Sequence, residues 1–178
     1  MIGTHRKSMR LLALGLCLSA GLASAHQGAS GIVKERMDAM KAMGAAMKAM
    51  APMAQGNAPV QPRAVAELAA LLRENGGAAL VAQFPEGSID HPSEARETIW
   101  DDPERFAALA DSLTVLADEL DRLAGLSDIP VTRTMATLPA PAELANSRGQ
   151  MANASLGDLF VQIGRSCIAC HEDFRIKK

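Results

Sequence analysis

The sequence predicts an all-α protein, an antiparallel four-helix bundle. The first observation is compositional. The chain has 178 residues, 48% hydrophobic but only 3% aromatic, with no Tyr, so Ala, Leu and Met supply the apolar content. Those residues favour helices, whereas sheets favour β-branched and aromatic ones. The second is periodicity: four stretches repeat apolar residues at helical spacing, and none alternates as a half-buried strand does. The third is length, which fits one domain of ordinary size.

Residues 1–25 are expected to lie outside that fold, as a signal peptide. His5, Arg6, Lys7 and Arg10 precede an apolar run over 11–22, and Ala23-Ser24-Ala25 has the small-x-small pattern that signal peptidase cuts. The run is too short and too interrupted by glycine to span a membrane comfortably. Cys17 follows Leu16, where lipoprotein cleavage needs a small residue, so no lipid anchor is expected. The mature chain is then 26–178, one bundle exported to the periplasm. Taking Arg6, Lys7 and Arg10 from 18 cations and 20 anions moves the net charge from −2 to −5. An acidic chain of pI about 6.1 excludes a broad basic face for nucleic acid.

The first helix is expected over 30–50, ending near Ala51-Pro52 with a turn at Gly56-Asn57. The second opens at Gln61-Pro62-Arg63, with Pro62 suited to a first helical position. It carries Val65, Leu68, Leu71 and Leu72 and falters at Asn75-Gly76-Gly77, with a further turn or two over 78–84. Residues 85–94, rich in Pro, Gly, Ser and Asp, read as a loop. In the third helix Asp101 or Asp102 is the cap and Pro103 the first residue. Its seam is Phe106, Leu109, Leu113, Leu116, Leu120 and Leu123, and Asp118 is placed to pair with Arg122. Gly125 ends it, and 126–140 is a long connection. The fourth helix is expected over 152–175, with Leu156, Phe160, Ile163, Cys167 and Cys170 along one side.

Beyond the leader only two cysteines remain, in Cys167-Ile168-Ala169-Cys170-His171. C-x-x-C-H is the attachment pattern of c-type haem. On a helix the three residues share a face, so two thiols can form thioethers to the vinyl groups while His171 reaches the iron from the same side. Three other readings compete. A thioredoxin-like pair needs a βαβ context, which is missing. A zinc site needs more ligands, and only His26 and His91 remain, both isolated. A disulfide would close a very small loop and leave His171 without a role. Haem c, one group on the C-terminal helix, is the reading carried forward.

The chain resembles the class II c-type cytochromes, the cytochrome c′ group. The resemblance rests on the C-terminal motif continuing through Glu172, Asp173, Phe174 and Arg175, on Ile99-Trp100-Asp101-Asp102-Pro103-Glu104-Arg105-Phe106, and on the segment from Lys34 to Gly44. The connections over 51–62 and 129–151 look longer than in the family's compact members. The family implies a four-helix bundle with the motif on its last helix, no enzymatic turnover, and electron transfer or binding of nitric oxide or carbon monoxide. It also implies redox partner proteins the sequence does not name, and a homodimer as an assembly to test.

On the first helix Ile32, Val33, Arg36, Met40, Met43 and Met47 share one face. Arg36 on an apolar stripe needs an anion or an exit to solvent. It either snorkels to the bundle end or, as the family's first-helix Arg does, pairs with a haem propionate. The run Met37, Met40, Met43, Met47, Met50 and Met53 reads as flexible core filler, with a soft-metal site as the other option. By resemblance Met40 overhangs the distal face of the haem. There it either packs without bonding, leaving a five-coordinate iron open to diatomic gases, or it is the sixth ligand of a low-spin His/Met electron carrier. Arg175 either sits near the proximal imidazole of His171 or is one of three terminal cations, with Lys177 and Lys178, settling the helix end. Trp100 reads as a core or helix-start anchor, with a haem-edge contact as the other option, and His91 as an exposed loop residue. No Ser/His/Asp arrangement, phosphate-binding Gly loop or catalytic carboxylate pair is present in the pattern, and no distal acid–base group suits a haem enzyme.

Overall fold

The computed structural model describes residues 28–132 and 138–177. The proposed leader, with Cys17, and His26 lie outside the described residues. The helices are α1 (Gly31–Ala54), α2 (Pro62–Asn75), α3 (Gly77–Ala82), α4 (Thr98–Asp101), α5 (Pro103–Ala124) and α6 (Leu156–Phe174). The four long ones, α1, α2, α5 and α6, form the four-helix bundle. α1 packs on α2 and α6, and α5 packs on the same two, so α1 and α5 stand diagonally. Among the described residues there is no strand, only an isolated antiparallel bridge between Ala95 and Arg175. No described helix is long and apolar enough to cross a membrane.

α5 is the packing centre. Asp102 caps it by accepting from the Arg105 N–H at 3.2 Å, Pro103 opens it and Gly125 follows it. All six seam residues are buried. Each such side chain contributes roughly 1.5–3 kcal/mol on leaving water. The expected Asp118–Arg122 pair does not form. Arg122 Nε donates to Glu119 Oε2 at 2.7 Å, one residue closer on the same face, while Arg73 of α2 reaches across to Asp118 and Asp121. Packing α2 against α5 brings in a cation that spacing within one helix cannot show.

α1 runs past its expected end to Ala54, with Pro52 inside its last turn. Burial of Met53 and Ala54 holds that turn in place. Its carbonyls are then satisfied by a Schellman closure, with Gly56 at φ +72°, Gly56 N–H on Met53 O at 3.1 Å and Asn57 N–H on Pro52 O at 2.8 Å. The break between α2 and α3 needs glycine. A Cβ at Gly76 would stand 2.5 Å from the Leu72 carbonyl oxygen, and Gly77 has φ +53°.

α6 starts later than expected, at Leu156. Ser155 and Asp158 form a reciprocal capping box there. Residues before it form two 3₁₀ turns, Pro141–Asn146 and Arg148–Met151. The Leu156 and Gly157 N–H groups donate to the carbonyls of Pro130 and Val131 at 2.7 and 3.2 Å, so the long connection closes the helix start.

Candidate haem-binding site

α1 and α6 flank a cavity of about 380 Å³. α1 contributes Arg36, Met37, Met40 and Lys41, and α6 contributes Cys170, His171 and Phe174, with Arg175 just beyond it. Phe84 and the 92–95 segment complete the wall with Ile99 and Phe106. The fold therefore gathers five expected site residues, Arg36, Met40, Cys170, His171 and Arg175. Cys167 lies one turn earlier on α6, half-buried against the core rather than on the cavity wall.

Both cysteines are free thiols. Burial, the largest cause, pushes both pKa values up, and Cys170, with Cys167 and Asp173 nearby, rises to about 12. The thiols are therefore protonated near neutral pH. Burial, then Arg175, pulls the His171 pKa down. This favours the neutral imidazole, the form that binds metals. Two thiols one turn apart, an adjacent neutral imidazole and an apolar cavity beside them fit a covalently held haem. No group of three His, Cys, Asp or Glu side chains converges among the described residues, so the zinc reading finds no ligand cluster there.

Arg36 does not snorkel to solvent. It is 3% exposed, and its guanidinium lies 4.6 Å over the Phe84 ring. Nη1 donates to Gln83 O and Ser88 Oγ, both at 3.1 Å, and Nη2 donates to Ser88 O and to Ser93 Oγ at 3.1 Å. Four of its five N–H groups are thus held by one segment. Burial lowers its pKa, an effect that Asp90 opposes.

Beyond Ser93 the same segment is zipped to the end of α6. Arg96 N–H donates to Phe174 O at 2.9 Å and Ile176 N–H to Glu94 O at 2.8 Å, around the Ala95–Arg175 bridge. Thr98 Oγ1 and Arg96 Nη1 both donate to Asp173 O at 3.0 Å. Arg175 pairs with Glu94, so this cation is shared between His171 and the segment crossing the cavity.

Several site residues escaped sequence reasoning. Phe84 from the loop after α3, Phe106 from α5 and Phe174 from α6 meet edge to face, with centroids 5.2 and 5.3 Å apart. They are three of only four Phe in the chain. Ser88, Ser93 and Glu94 lie in the 85–94 loop, where nothing local marks their partners. Trp100 is an anchor, as read: its indole N–H donates to Phe84 O at 2.9 Å. His91 is exposed, as read. Met43, Met50 and Met53 are buried in the core, the filler reading.

A family model described as Cytochrome C′ matches residues 31–135. The match stops before the Cys167–His171 motif, so the two observations are independent. Cytochrome c-556 of Agrobacterium tumefaciens is 28% identical over 149 residues, which is 84% of this chain and 100% of the relative. The crystal structure of cytochrome c′ from Rubrivivax gelatinosus superposes with a TM-score of 0.57 at 22% identity, covering 81% of this chain and 94% of that one. A nitric oxide complex of a cytochrome c prime variant from Alcaligenes xylosoxidans gives 0.50 at 24% identity, covering 83% and 94%.

Proposed function

The chain belongs to the cytochrome c′ family of haem proteins, and on that premise we propose that it is an exported c-type cytochrome whose five-coordinate iron binds small diatomic gases and exchanges electrons. The observation that supports this reading is the placement of His171 on α6 and Met40 on α1 around one cavity. Cys167 and Cys170 would carry the thioethers and His171 the iron. When bound, one haem supplies a redox couple and an open coordination position. Around it the chain's own side chains divide the work. Phe84, Phe106, Phe174 and Ile99 exclude water. Arg36 and Arg175 place positive charge at the rim, where it suits the haem carboxylates. Arg36 has only its Nε–H left for that purpose while its other N–H groups hold the 83–93 segment.

Met40 is half-buried on the cavity wall and packs there as a flexible thioether. The nitric oxide complex of the Alcaligenes xylosoxidans relative supports the gas reading. The second reading, a six-coordinate His171/Met40 electron carrier, is favoured by the same shared cavity. We place no enzymatic turnover here, because the α1 wall offers Arg36, Met37, Met40 and Lys41 rather than a carboxylate or imidazole acid–base. Export follows from the 1–25 leader, and periplasmic protein is expected to start at His26 with haem that resists acid-acetone extraction.

Optical spectra of the purified ferric and ferrous protein test the iron. The expected resting state is high-spin, with carbon monoxide bound readily by the ferrous form and faster in Met40→Ala without a change of spin state. A low-spin resting spectrum that turns high-spin in Met40→Ala establishes the electron-carrier reading instead. His171→Ala is expected to abolish the histidine-ligated spectrum, and an unchanged spectrum would remove the basis of the assignment.

A further inference from the structure

We propose that Arg36 is a positioning residue that latches the 83–93 segment onto α1 and thereby sets how fast small ligands reach the cavity. This rests on the gas-binding reading above, and it concerns what the chain does with its own strap.

The segment bridges the two helices that flank the cavity. At its far end it is zipped to the tail of α6 by the backbone bonds around Ala95 and Arg175. At its near end, every hydrogen bond that joins it to α1 among the described residues comes from Arg36. Its backbone otherwise makes the turns that continue from α3, Gln83 N–H on Leu80 O and Phe84 N–H on Val81 O, takes the Trp100 indole on Phe84 O, and over 85–93 supplies only short turns, Ser88 N–H on Pro85 O and Ser93 N–H on Asp90 O. Pro92, Ser93, Glu94 and Phe84 of this stretch line the cavity beside Met40, which stands one helical turn beyond Arg36. Release of the latch therefore loosens the wall next to the distal residue while leaving the α6 motif in place.

The geometry needs a guanidinium. Two carbonyls and two hydroxyls from Gln83, Ser88 and Ser93 converge on its two terminal nitrogens, and Phe84 covers its face. A lysine carries the same charge as a point, with three donors and no planar fork, so it cannot span these acceptors. A role limited to pairing a haem carboxylate through the one N–H left free would ask only for the charge and a single donor, which a lysine also supplies.

The test compares wild type, Arg36→Gln, Arg36→Lys and Ser88→Ala/Ser93→Ala as haem-loaded proteins. Peptide-level hydrogen exchange over 84–93 and the rate of carbon monoxide association with the ferrous form are read together, with the absorption spectrum as control. Both Arg36 variants are expected to exchange roughly tenfold faster over 84–93 and to bind carbon monoxide faster by a similar factor, as loss of charge-assisted hydrogen bonds implies, while the serine double variant, which leaves the Arg36 charge in place, keeps the spectrum. The serine double variant is expected to fall between. Wild-type behaviour in Arg36→Lys, unchanged exchange in Arg36→Gln, or faster exchange with an unchanged binding rate overturns the proposal. If neither Arg36 variant accumulates, the serine double variant decides alone: faster exchange with faster binding supports the latch, and wild-type values overturn it. A ferrous wild-type protein that takes up no carbon monoxide instead overturns the five-coordinate reading, and exchange over 84–93 still reports the latch.

Discussion

On the α2–α5 side of the bundle Val65, Leu68, Leu72, Leu116 and Leu120 are at most 1% exposed, whereas on the α1–α6 side Met37, Met40 and Cys170 stay half-buried about a cavity. Both seams are built from helices with apolar stripes. The first closes by leucine against leucine and is complete as protein. The second is walled by aromatic rings and thioethers spaced around a volume that side chains do not fill. Its two helices are joined through the strap, by Arg36 at one end and by the tail of α6 at the other. A bundle can thus keep one half as scaffold and leave the other half shaped for a flat apolar cofactor.

The sharpest test of that contrast is truncation on each side. Leu116→Ala is expected to cost about 2–5 kcal/mol in chemical denaturation, because its site is fully enclosed. Met40→Ala is expected to cost less than about 1 kcal/mol, since a half-exposed side chain beside a cavity gives up little packing. Equal losses would mean that the two seams are packed alike.

Next in size is removal of the proposed cofactor anchors. In Cys167→Ser/Cys170→Ser protein, α1 amides are expected to exchange roughly a hundredfold faster than those of α5 in the same molecule. Uniform protection across both helices would show that the α1–α6 seam closes without haem. A smaller effect is expected at the start of α6. Ser155→Ala removes the capping box and should lower stability by about 1 kcal/mol in thermal or chemical denaturation, with the haem spectrum unchanged.

The smallest effect lies on the outer face of α1. The hydrogen bond from Lys34 is the main cause that holds the Asp38 carboxyl below its usual range. A carboxyl depressed in the folded state contributes stability above its unfolded pKa and loses it as pH falls through the folded value. Lys34→Gln should therefore lower the melting temperature slightly at neutral pH, and the difference should fade from about pH 4 downward. A difference that persists in stronger acid would assign the effect to helix propensity rather than to the pair.

Much of the scaffold was legible in the chain. The α5 seam, Asp102 and Pro103 at its start, Gly125 at its end and the break at Gly76-Gly77 all stand where residue type and spacing put them. These are local statements: helical period, cap chemistry and a backbone that only glycine adopts act over a few residues. The C-x-x-C-H spacing is local too, and so marks the last helix as the proposed anchor of the cofactor.

Tertiary structure alone decided the rest. The Arg73 bridge to Asp118 and Asp121, the convergence of Phe84, Phe106 and Phe174, and the pairing of Glu94 with Arg175 join residues tens of positions apart. Arg36 shows the division most plainly. Its place on an apolar stripe signalled a cation that needs an anion or an exit to solvent. That the neutral carbonyls and hydroxyls of Gln83, Ser88 and Ser93 hold it instead depended on where a loop without periodicity folds back. Periodicity reports which face a residue occupies, and only packing brings a partner to that face.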